Sequence, residues 1–315
     1  MSFTNLITIA IPCYERKQYF LEALDSALNQ TVKCEIIVVD NCSSHDFFEK
    51  VCKDKSITYY KNERNIGLFP NYNKCYDLAR TEYVKILDDD DILLPKYVES
   101  FLKAKSLYPE IDIYYSDYVF LKSGSELPHR DTLPFGYIKK GKEIIEYAIK
   151  YTLAFPYMTS AVKKTKARLD IDMEDIVGGY DFVWLYSNAD QLTFYGDLAK
   201  LYQWRIHDCN TSVNGKDWVA NTLTIPYIYQ TILYVKISEP KLKKKISNKI
   251  FWRLMWLKSY GDIGEMIKIM NSGNRFGAYL KQKMDDNFLL KVIFKIPQRL
   301  VRIIFRIFRK LGITN

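Results

Sequence analysis

Long uncharged apolar runs and paired cysteines are missing from this chain of 315 residues. It contains no stretch of about twenty consecutive uncharged apolar residues, which excludes a membrane-spanning helix on length. Its six cysteines stand singly, without a CxxC pair or a histidine-rich spacing, which argues against zinc and favours reduced thiols in a cytosolic protein. A basic leader and a small-residue cleavage site are also missing before the first apolar stretch, so we expect no export.

Apolar and basic residues are abundant. Hydrophobic residues make up 48% of the sequence and aromatic residues 15%, which is enough to bury a large core. The formal net charge is +9 at pH 7, and this fits a partner that carries phosphate, such as a nucleic acid, an anionic lipid or a nucleotide sugar. Charge alone does not choose among these three partners.

Short β-rich runs alternate with helical stretches in the first part of the chain. The predicted strands, rich in Val, Ile or Tyr, are Leu6–Ile11, Glu35–Val39, Ile57–Lys61, Tyr83–Leu87 and Ile113–Leu121. Helical spacing predicts helices over Gln18–Gln30, Asn71–Arg80 and Pro95–Tyr108, near Glu143–Tyr151, and from about Asp181. This alternation predicts an α/β fold with a mostly parallel sheet, whose ligands bind beyond the carboxyl ends of the strands.

Four consecutive acids, Asp88 to Asp91, follow the predicted strand Tyr83–Leu87. Adjacent carboxylates repel one another unless a cation neutralises them, and ligands that are only oxygens favour a hard ion, Mg²⁺ or Mn²⁺. The alternative is a solvated turn at the start of a helix, where the helix dipole favours Asp. Because the acids follow a predicted central strand, we interpret them as a metal site shared with substrate phosphates.

The last hundred residues are predicted to be helical and strongly basic. Basic residues recur every three or four positions from Lys291 to Lys310, with large aliphatics between them, and no acid follows Asn287. This spacing predicts an amphipathic helix over 290–311. Pro297 would bend this helix or set its start, so its strongest part runs from Gln298 to Leu311. An all-cationic polar face suits an anionic membrane surface, and packing on the protein's own core is the alternative. We predict no nucleic-acid partner, because the basic residues alternate with aliphatics and not with stacking aromatics.

Four segments of the chain form a pattern by their order and spacing: TIAIPCYERKQYFLEALDSALNQT, EIIVVDNCSS, NERNIGLFPNYNKCYDLA and YVKILDDDDILLP. Together they resemble the family-2 glycosyltransferases of the GT-A fold. The resemblance implies a GT-A domain over 1–215, with a nucleotide-binding half, 1–110, and an acceptor half, 111–215. A helical region, 216–315, would follow it.

The resemblance also implies a reaction. It implies an inverting glycosyltransferase that moves a sugar from a nucleotide diphosphate donor, most simply a UDP-sugar, to a lipid-linked saccharide acceptor. Such transfers assemble bacterial surface polysaccharide, as O-antigen or capsule. The expected location is cytoplasmic and peripheral, on the inner face of the cell membrane.

On the donor side, the resemblance implies roles for five residues. Pro12, Tyr14 and Glu15 would line the nucleoside pocket, although the family more often has Asn where Glu15 stands. Asp40 would accept the N3 hydrogen of uracil, and the alternative is a turn residue that ends a strand. Arg64 would approach the base or the diphosphate, and the alternative is a surface charge.

For the metal, the resemblance points to the acids that match the D-x-D pattern, Asp88 and Asp90. Asp90 would be the direct ligand, while Asp88 would contact the ribose or the ion, and Asp89 would belong to the donor site. His207, in the segment YQWRIHDCNTS, would reach the diphosphate or the metal. A structural histidine beside Arg205 is the alternative.

The general base is implied to be Asp181, in the segment DIVGGYDFVWLY. It would take the proton of the acceptor hydroxyl as that oxygen attacks. The preceding residue is Tyr180, where the family often has Glu. The alternative is that Asp181 only caps the following helix.

Other classes of protein fit less well. A nucleotidyltransferase normally has a Gly-rich loop after its first strand, and PCYERKQYF contains no Gly. Residues Gly136 to Lys142 match the P-loop pattern G-x-x-x-x-G-K, but Glu143 stands where Ser or Thr is required. A non-catalytic membrane-associated protein that binds a sugar or nucleotide would have a broken acid motif, and here the acids are intact. We assign no role to His45 or His129.

Overall fold

The computed structural model describes residues 3–129, 134–139, 141–151, 157–167, 184–185, 188–208, 240–262, 264, 267–268, 271 and 275–313. The chain divides into two compact units. The first comprises Met1–Asp170 and Asn188–Asp208, and the second comprises Ile171–Ser187 and Cys209–Asn315. The predicted domain bounds, 1–215 and 216–315, stay a prediction.

A mixed sheet forms the centre of the first unit. Its strands are β1 (Phe3–Cys13), β2 (Lys33–Asp40), β3 (Thr58–Lys61), β4 (Tyr83–Ile86), β5 (Ile92–Leu93), β6 (Ile113–Lys122), β7 (Ser125–Leu127), β8 (Gly136–Ile138), β9 (Ser160–Lys163) and β10 (Phe194–Ile206). Their order across the sheet is β3-β2-β1-β4-β9-β6-β10-β5, with β7 on β6 and β8 on β10. The four strands predicted first, β1 to β4, pair in parallel.

Five helices accompany these strands in the described part of the first unit. They are α1 (Phe20–Leu28), α2 (Phe47–Asp54), α3 (Leu68–Leu78), α4 (Tyr97–Leu107) and α5 (Lys142–Tyr151). The buried face of α1 shows why the sequence forms a helix there, since its buried residues Phe20, Ala23, Leu24 and Ala27 recur every three or four positions. The helix predicted to begin near Asp181 lies outside the described residues.

Burial on both faces explains the apolar runs of the central strands. In β1, residues Ile7, Ile9, Ala10 and Ile11 have no exposed surface, as expected of a parallel strand covered on both sides. The carboxyl ends of β1, β2 and β4 lie at one edge of the sheet, because these strands are parallel neighbours. The loops that follow these strands therefore meet at that edge.

Four helices form the described part of the second unit: α6 (Pro240–Tyr260), α7 (Arg275–Asp286), α8 (Phe288–Lys295) and α9 (Gln298–Lys310). Their core contains Met255, Ile293, Val301 and Phe305. Two hydrogen bonds fix α9: Gln298 donates to the Gly261 carbonyl at 2.7 Å, and Arg302 donates to the Ser259 carbonyl at 2.9 Å. None of the described helices has the length and apolar character needed to cross a membrane.

Pro297 divides the segment 290–311 into two helices, and α9 corresponds to the part predicted to be strongest, Gln298–Leu311. Ile296 and Pro297 between them have extended backbone, with ψ of 142° and 136°. Proline has no N–H to continue the hydrogen bonds of the preceding helix, and it restricts the residue before it to extended conformations. Pro297 therefore ends one helix and precedes the next.

Candidate functional site

The acid motif, Asp88 to Asp91, lies between β4 and β5 at the carboxyl edge of the sheet. Asp89, Asp90 and Asp91 are buried, with 5%, 6% and 2% of their surface exposed, whereas Asp88 is half-buried. Buried carboxylates are costly unless hydrogen bonds or opposite charges compensate them. The neighbours of each acid therefore define the site.

Arg16 joins two of these acids from the loop after β1. Its Nη2 atom donates to Oδ1 of Asp89 and lies 2.9 Å from Oδ2 of Asp90. This contact follows from the topology, since Ala10 of β1 pairs with Ile86 of β4 and the loops after these two strands are adjacent. A single guanidinium thus contacts two buried carboxylates.

His207, directly after β10, contacts Asp90, one of the two acids that Arg16 contacts. Its Nε2 atom lies 2.9 Å from Oδ2 of Asp90, and its ring lies 4.9 Å from that of Tyr19. The predicted grouping of His207 with the acid motif is therefore present in the structure. Arg205 adds to it, because its Nε donates to the Asp90 carbonyl at 2.7 Å and its guanidinium lies 4.4 Å from the Tyr19 ring centre.

Asp91 has a different environment and connects the acid motif to β10. It accepts a hydrogen bond from the Tyr202 hydroxyl at 2.6 Å and another from the Arg205 backbone N–H at 2.7 Å. Burial first, and then the charges of Asp90 and Asp88, raise the pKa of Asp91 well above its usual value. We interpret Asp91 as an anchor of the loop.

Asp88 accepts a hydrogen bond from the Tyr72 hydroxyl at 2.5 Å. Burial, and then the charge of Asp90, raise its pKa. Burial also raises the pKa of Asp89 to about 7, while the ion pair with Arg16 opposes that rise. Burial, and after it the charges of the neighbouring carboxylates, thus favour the neutral forms of these acids, which positive charge from Arg16 or a bound cation counteracts.

Lys85 is buried within β4, directly before the acid motif. Its Nζ donates to the Ile86 carbonyl at 2.6 Å and to the Met158 carbonyl, and it lies 4.5 Å from the ring centre of Tyr202. Burial lowers the pKa of Lys85 to about 7, although attraction to Asp88 and Asp91 opposes this shift. Lys85 is thus a buried amine inside the sheet that is attracted to Asp88 and Asp91.

Asp40 ends β2 at the same edge, with no exposed surface. Its Oδ1 accepts from the Ser43 N–H at 2.9 Å and from the Ser43 hydroxyl at 2.6 Å, and its Oδ2 accepts from Tyr59 at 2.7 Å. These contacts show the turn role that was the alternative for Asp40. Binding of uracil by Asp40 stays a prediction.

The residues predicted to line the nucleoside pocket lie at the end of β1 and directly after it. Pro12 is buried, while Tyr14 and Glu15 are exposed. Glu15 has a left-handed backbone, with φ of 57°, and its carboxylate accepts from the Ser44 N–H at 2.7 Å and the Ser44 hydroxyl at 2.9 Å. Glu15 thus ties the loop after β1 to the loop after β2.

Arg64 is exposed in the loop between β3 and α3. Asn41 holds that loop, because its Oδ1 accepts from the Ile66 N–H at 3.0 Å and its Nδ2 donates to Oδ1 of Asn65 at 2.8 Å. Arg64 follows β3, which pairs in parallel with β2 and ends at the same edge of the sheet as Asp40. Its contact with a base or diphosphate stays a prediction.

The predicted general base and the predicted metal ligands differ in what the structure describes of them. Asp181, the predicted general base, lies outside the described residues. Within the described ranges, no three His, Cys, Asp or Glu side chains are arranged as a metal site. Of the predicted ligands, Asp90 and His207 are in contact, and Asp88 hydrogen-bonds Tyr72. Their chemistry, two carboxylates and one imidazole, fits a hard cation that completes its coordination with phosphate and water.

Comparisons with known proteins identify the family of this chain. Residues 8–165 match the family model described as glycosyl transferase family 2. A protein of Methanocaldococcus jannaschii named uncharacterized glycosyltransferase is 33% identical over 197 residues, which are 60% of this chain and 67% of that one. The minor teichoic acid biosynthesis protein GgaB of Bacillus subtilis is 23% identical over 308 residues. These residues are 92% of this chain but only 34% of GgaB, so the chain spans about a third of that relative.

A solved structure extends the likeness to nearly the whole chain. Staphylococcus aureus TarS 1–349 matches with a TM-score of 0.64 at 16% identity, covering 98% of this chain and 92% of that one. The same fragment has been solved with UDP and with UDP-GlcNAc, and these structures match with TM-scores of 0.62 and 0.60. At this identity the match shows a shared fold.

Proposed function

Because the chain belongs to glycosyl transferase family 2 and has a fold of the GT-A type, we propose that it is an inverting glycosyltransferase that uses a UDP-sugar. One observation carries this proposal. The acid motif, Arg16 and His207 meet at the sheet edge where β1 and β2 end. A nucleotide diphosphate placed there would have its base near the loops after β1 and β2 and its phosphates near the acids.

The donor is proposed to be bound by residues from three loops. Pro12, Tyr14 and Glu15 would line the nucleoside pocket, Asp40 would recognise uracil, and Arg64 would contact the base or the diphosphate. The choice of UDP is supported by the structural neighbour TarS, which has been solved with UDP and UDP-GlcNAc. The identity of the transferred sugar is left open by this proposal.

The acids are proposed to hold a divalent cation, Mg²⁺ or Mn²⁺. When bound, such an ion neutralises charge on the leaving diphosphate. Asp90 and His207 would hold it. Asp88 would contact the ribose or, through water, the ion, and Asp89 would belong to the donor site. Their existing cationic partner, Arg16, supports the proposal, because the motif already requires positive charge.

Asp181 is proposed as the general base for the acceptor. Its carboxylate would take the proton from the acceptor hydroxyl while that oxygen attacks the anomeric carbon from the side opposite the diphosphate. One displacement of this kind inverts the anomeric centre. The alternative role for Asp181, capping a helix, is compatible with this one.

The test of this function is a donor screen with product analysis. The purified chain would be given UDP-, GDP- and CDP-sugars with Mg²⁺, Mn²⁺ or excess chelator, together with lipid-linked saccharide acceptors. We expect transfer from a UDP-sugar, loss of transfer in chelator, and inverted configuration by proton NMR. Preference for another nucleotide, or a full rate in chelator, would contradict the proposal. UDP binding without any transfer would favour the non-catalytic alternative.

The acceptor is proposed to be a lipid-linked saccharide in bacterial surface polysaccharide synthesis, as O-antigen or capsule. GgaB, which is similar over 92% of this chain, is named for teichoic acid biosynthesis. That name supports a surface polymer as the product class. A lipid-linked acceptor also requires that the enzyme work at the inner face of the cell membrane.

Three stripes on α9 support association with a membrane surface. At about 3.6 residues per turn, its residues divide into an inner stripe, an exposed apolar stripe and a basic stripe. The inner stripe, Val301 and Phe305, is buried in the core of the second unit. The exposed apolar stripe contains Leu300, Ile303, Ile304 and Ile307, with Leu311 directly after the helix. The basic stripe contains Arg299, Arg302, Arg306, Arg309 and Lys310.

Packing on the protein's own core and association with a membrane thus involve different stripes of this helix. The inner stripe packs on the protein's own helices, while the exposed apolar stripe continues on α8 with Phe288, Leu289 and Val292, also exposed. A bilayer interface fits such a surface, since aliphatic side chains enter the acyl region and basic side chains meet anionic headgroups. We therefore place the protein at an anionic membrane surface in this proposal.

A further inference from the structure

Within the acid motif, one carboxylate oxygen of Asp90 contacts nitrogen atoms of both Arg16 and His207. Oδ2 of Asp90 lies 2.9 Å from Nη2 of Arg16 and 2.9 Å from Nε2 of His207. An ionised carboxylate oxygen only accepts hydrogen bonds, so Nε2 of His207 carries the hydrogen in this contact. Arg16 and His207 thus both contact the same oxygen of Asp90.

Arg16 also has an unsatisfied donor. Its Nε atom is buried and has no hydrogen-bond acceptor within the part of the chain that the structure describes. A buried donor without a partner is uncommon, because it loses the free energy of hydration without a replacement. The planar guanidinium fork suits two oxygens of a phosphate. Together, the ion pairs and the orphan Nε suggest that this contact with the acids is one of two positions for the side chain.

The backbone of Arg16 is fixed, so a change between positions would involve the side chain. Its N–H donates to the Tyr14 carbonyl at 2.6 Å, and the preceding Glu15 is tied to Ser44 by two hydrogen bonds. The Arg16 side chain is 28% exposed, whereas the Asp89 and Asp90 side chains are 7% and 9% exposed. The Arg16 side chain is therefore more accessible to solvent than the two acids that it contacts.

We propose that Arg16 is a built-in counter-ion of the acid motif that competes with the divalent cation for Asp90. Without nucleotide, Arg16 neutralises Asp89 and Asp90 and keeps them in place. When cation and nucleoside diphosphate bind together, Arg16 releases Asp90 and its guanidinium contacts a phosphate oxygen. Cation and nucleotide then bind cooperatively, because the phosphate compensates Arg16 for the carboxylate that it leaves. This inference rests on the proposed function.

The test measures binding of Mn²⁺ alone, by electron paramagnetic resonance, to full-length wild type, Arg16→Gln, Arg16→Lys and Lys17→Gln, without and with UDP. Without UDP, Arg16→Gln is expected to bind Mn²⁺ on the order of tenfold more tightly than wild type, since a competing cation is gone. The Mn²⁺-loaded variant should bind UDP on the order of tenfold more weakly, because a phosphate contact is lost.

The other two variants test whether Mn²⁺ affinity depends on the contact between Arg16 and the acids or only on the positive charge near them. Lys17→Gln removes a neighbouring exposed charge whose Nζ lies 5.8 Å from the ring centre of Phe47, so its Mn²⁺ affinity should change by less than about twofold. Arg16→Lys keeps the charge without the fork and should lie between wild type and Arg16→Gln. It also serves if Arg16→Gln fails to fold, as judged by circular dichroism.

The outcomes distinguish this proposal from the function on which it rests. Equal or weaker Mn²⁺ binding by a folded Arg16→Gln, or by Arg16→Lys in its place, would overturn the role of Arg16 while leaving the metal site standing. Tightening of the same size in Lys17→Gln would also overturn it, because general charge would then suffice. Sugar transfer by wild type in excess chelator would instead contradict the metal dependence itself.

Discussion

The hydroxyl of Tyr202 donates to the carboxylate of Asp91 at 2.6 Å, across 111 positions of sequence. Both side chains are buried, and the second donor to Asp91 is the backbone N–H of Arg205. This pair fixes the loop of the acid motif against β10. It also brings Arg205 and His207 to the acids, since they follow Tyr202 on the same strand.

Tyr202→Phe is expected to destabilise the fold. The change leaves the buried Asp91 with one donor fewer, which typically costs about 1–3 kcal/mol of unfolding free energy. Urea unfolding followed by circular dichroism measures this cost. Tyr14→Phe is the matched control, because Tyr14 is exposed, and it should leave the unfolding midpoint unchanged. An equal midpoint for Tyr202→Phe would show that the Asp91 contact contributes nothing.

Lys85 predicts a pH dependence of stability. Its pKa is lowered to about 7 by burial, whereas in the unfolded chain it titrates at about 10.4. Between these values the unfolded state binds more protons, so Lys85 makes stability rise with pH by up to about 1.4 kcal/mol per pH unit. Below the folded pKa the charged form is buried, and this gain is absent.

Lys85→Met should remove that rise. Urea unfolding of both proteins between pH 6.5 and 9.5 is expected to give a smaller positive slope for the variant. The acids whose pKa values are raised, Asp88, Asp89 and Asp91, are present in both proteins, so the comparison uses the difference between the two slopes. Lys17→Met, at an exposed position, should keep the wild-type slope. Identical slopes for Lys85→Met and wild type would contradict the buried titration.

Asp181→Asn is expected to lower turnover while UDP binding is kept. Loss of a general base typically reduces the rate about a hundredfold or more. Steady-state kinetics measures the first effect, and calorimetric titration with UDP measures the second. Loss of UDP affinity would move Asp181 to the donor site or the structural core. Normal turnover would indicate another base, and Asp175 and Glu174 would be the next variants.

Membrane binding is predicted to depend on the exposed apolar stripe of α9. A double variant, Ile303→Ser with Ile307→Ser, should bind anionic liposomes more than about tenfold more weakly in flotation assays, given about 1.5–3 kcal/mol for each buried aliphatic side chain. These side chains are exposed, so folding should be kept. A double change of exposed leucines elsewhere, Leu107→Ser with Leu198→Ser, is the control. Equal flotation of both double variants would place the membrane contact elsewhere.

Much of the fold could be predicted from local sequence. Alternating β-rich and helical runs predicted the α/β class, and each of the first four strands contains or overlaps its predicted range. The family prediction is confirmed by the match over residues 8–165. The order across the sheet was beyond reach, because the antiparallel insertion of β9 between β4 and β6 depends on contacts far apart in sequence.

The candidate site was predicted in part. The acids and His207 were predicted as a group, and the structure brings His207 to Asp90. Arg16 was missed because a charged residue in a loop has many possible partners. Lys85 gave a local signal, since a lysine inside the apolar strand Tyr83–Ile86 conflicts with its neighbours and has to find buried partners. The roles assigned to individual residues stay predictions.

The distance in sequence between Asp90 and His207, 117 positions, has a consequence for synthesis of the chain. Proteins emerge from the ribosome from the N-terminus, so β1 to β4 can pair well before β10 exists. Until β10 joins the sheet, Asp90 and Asp91 lack donors from Tyr202, Arg205 and His207. We therefore expect products truncated before Phe194 to leave Asp91 without these donors and Asp90 with Arg16 alone, so that nucleotide-sugar binding develops only after the whole domain has been translated.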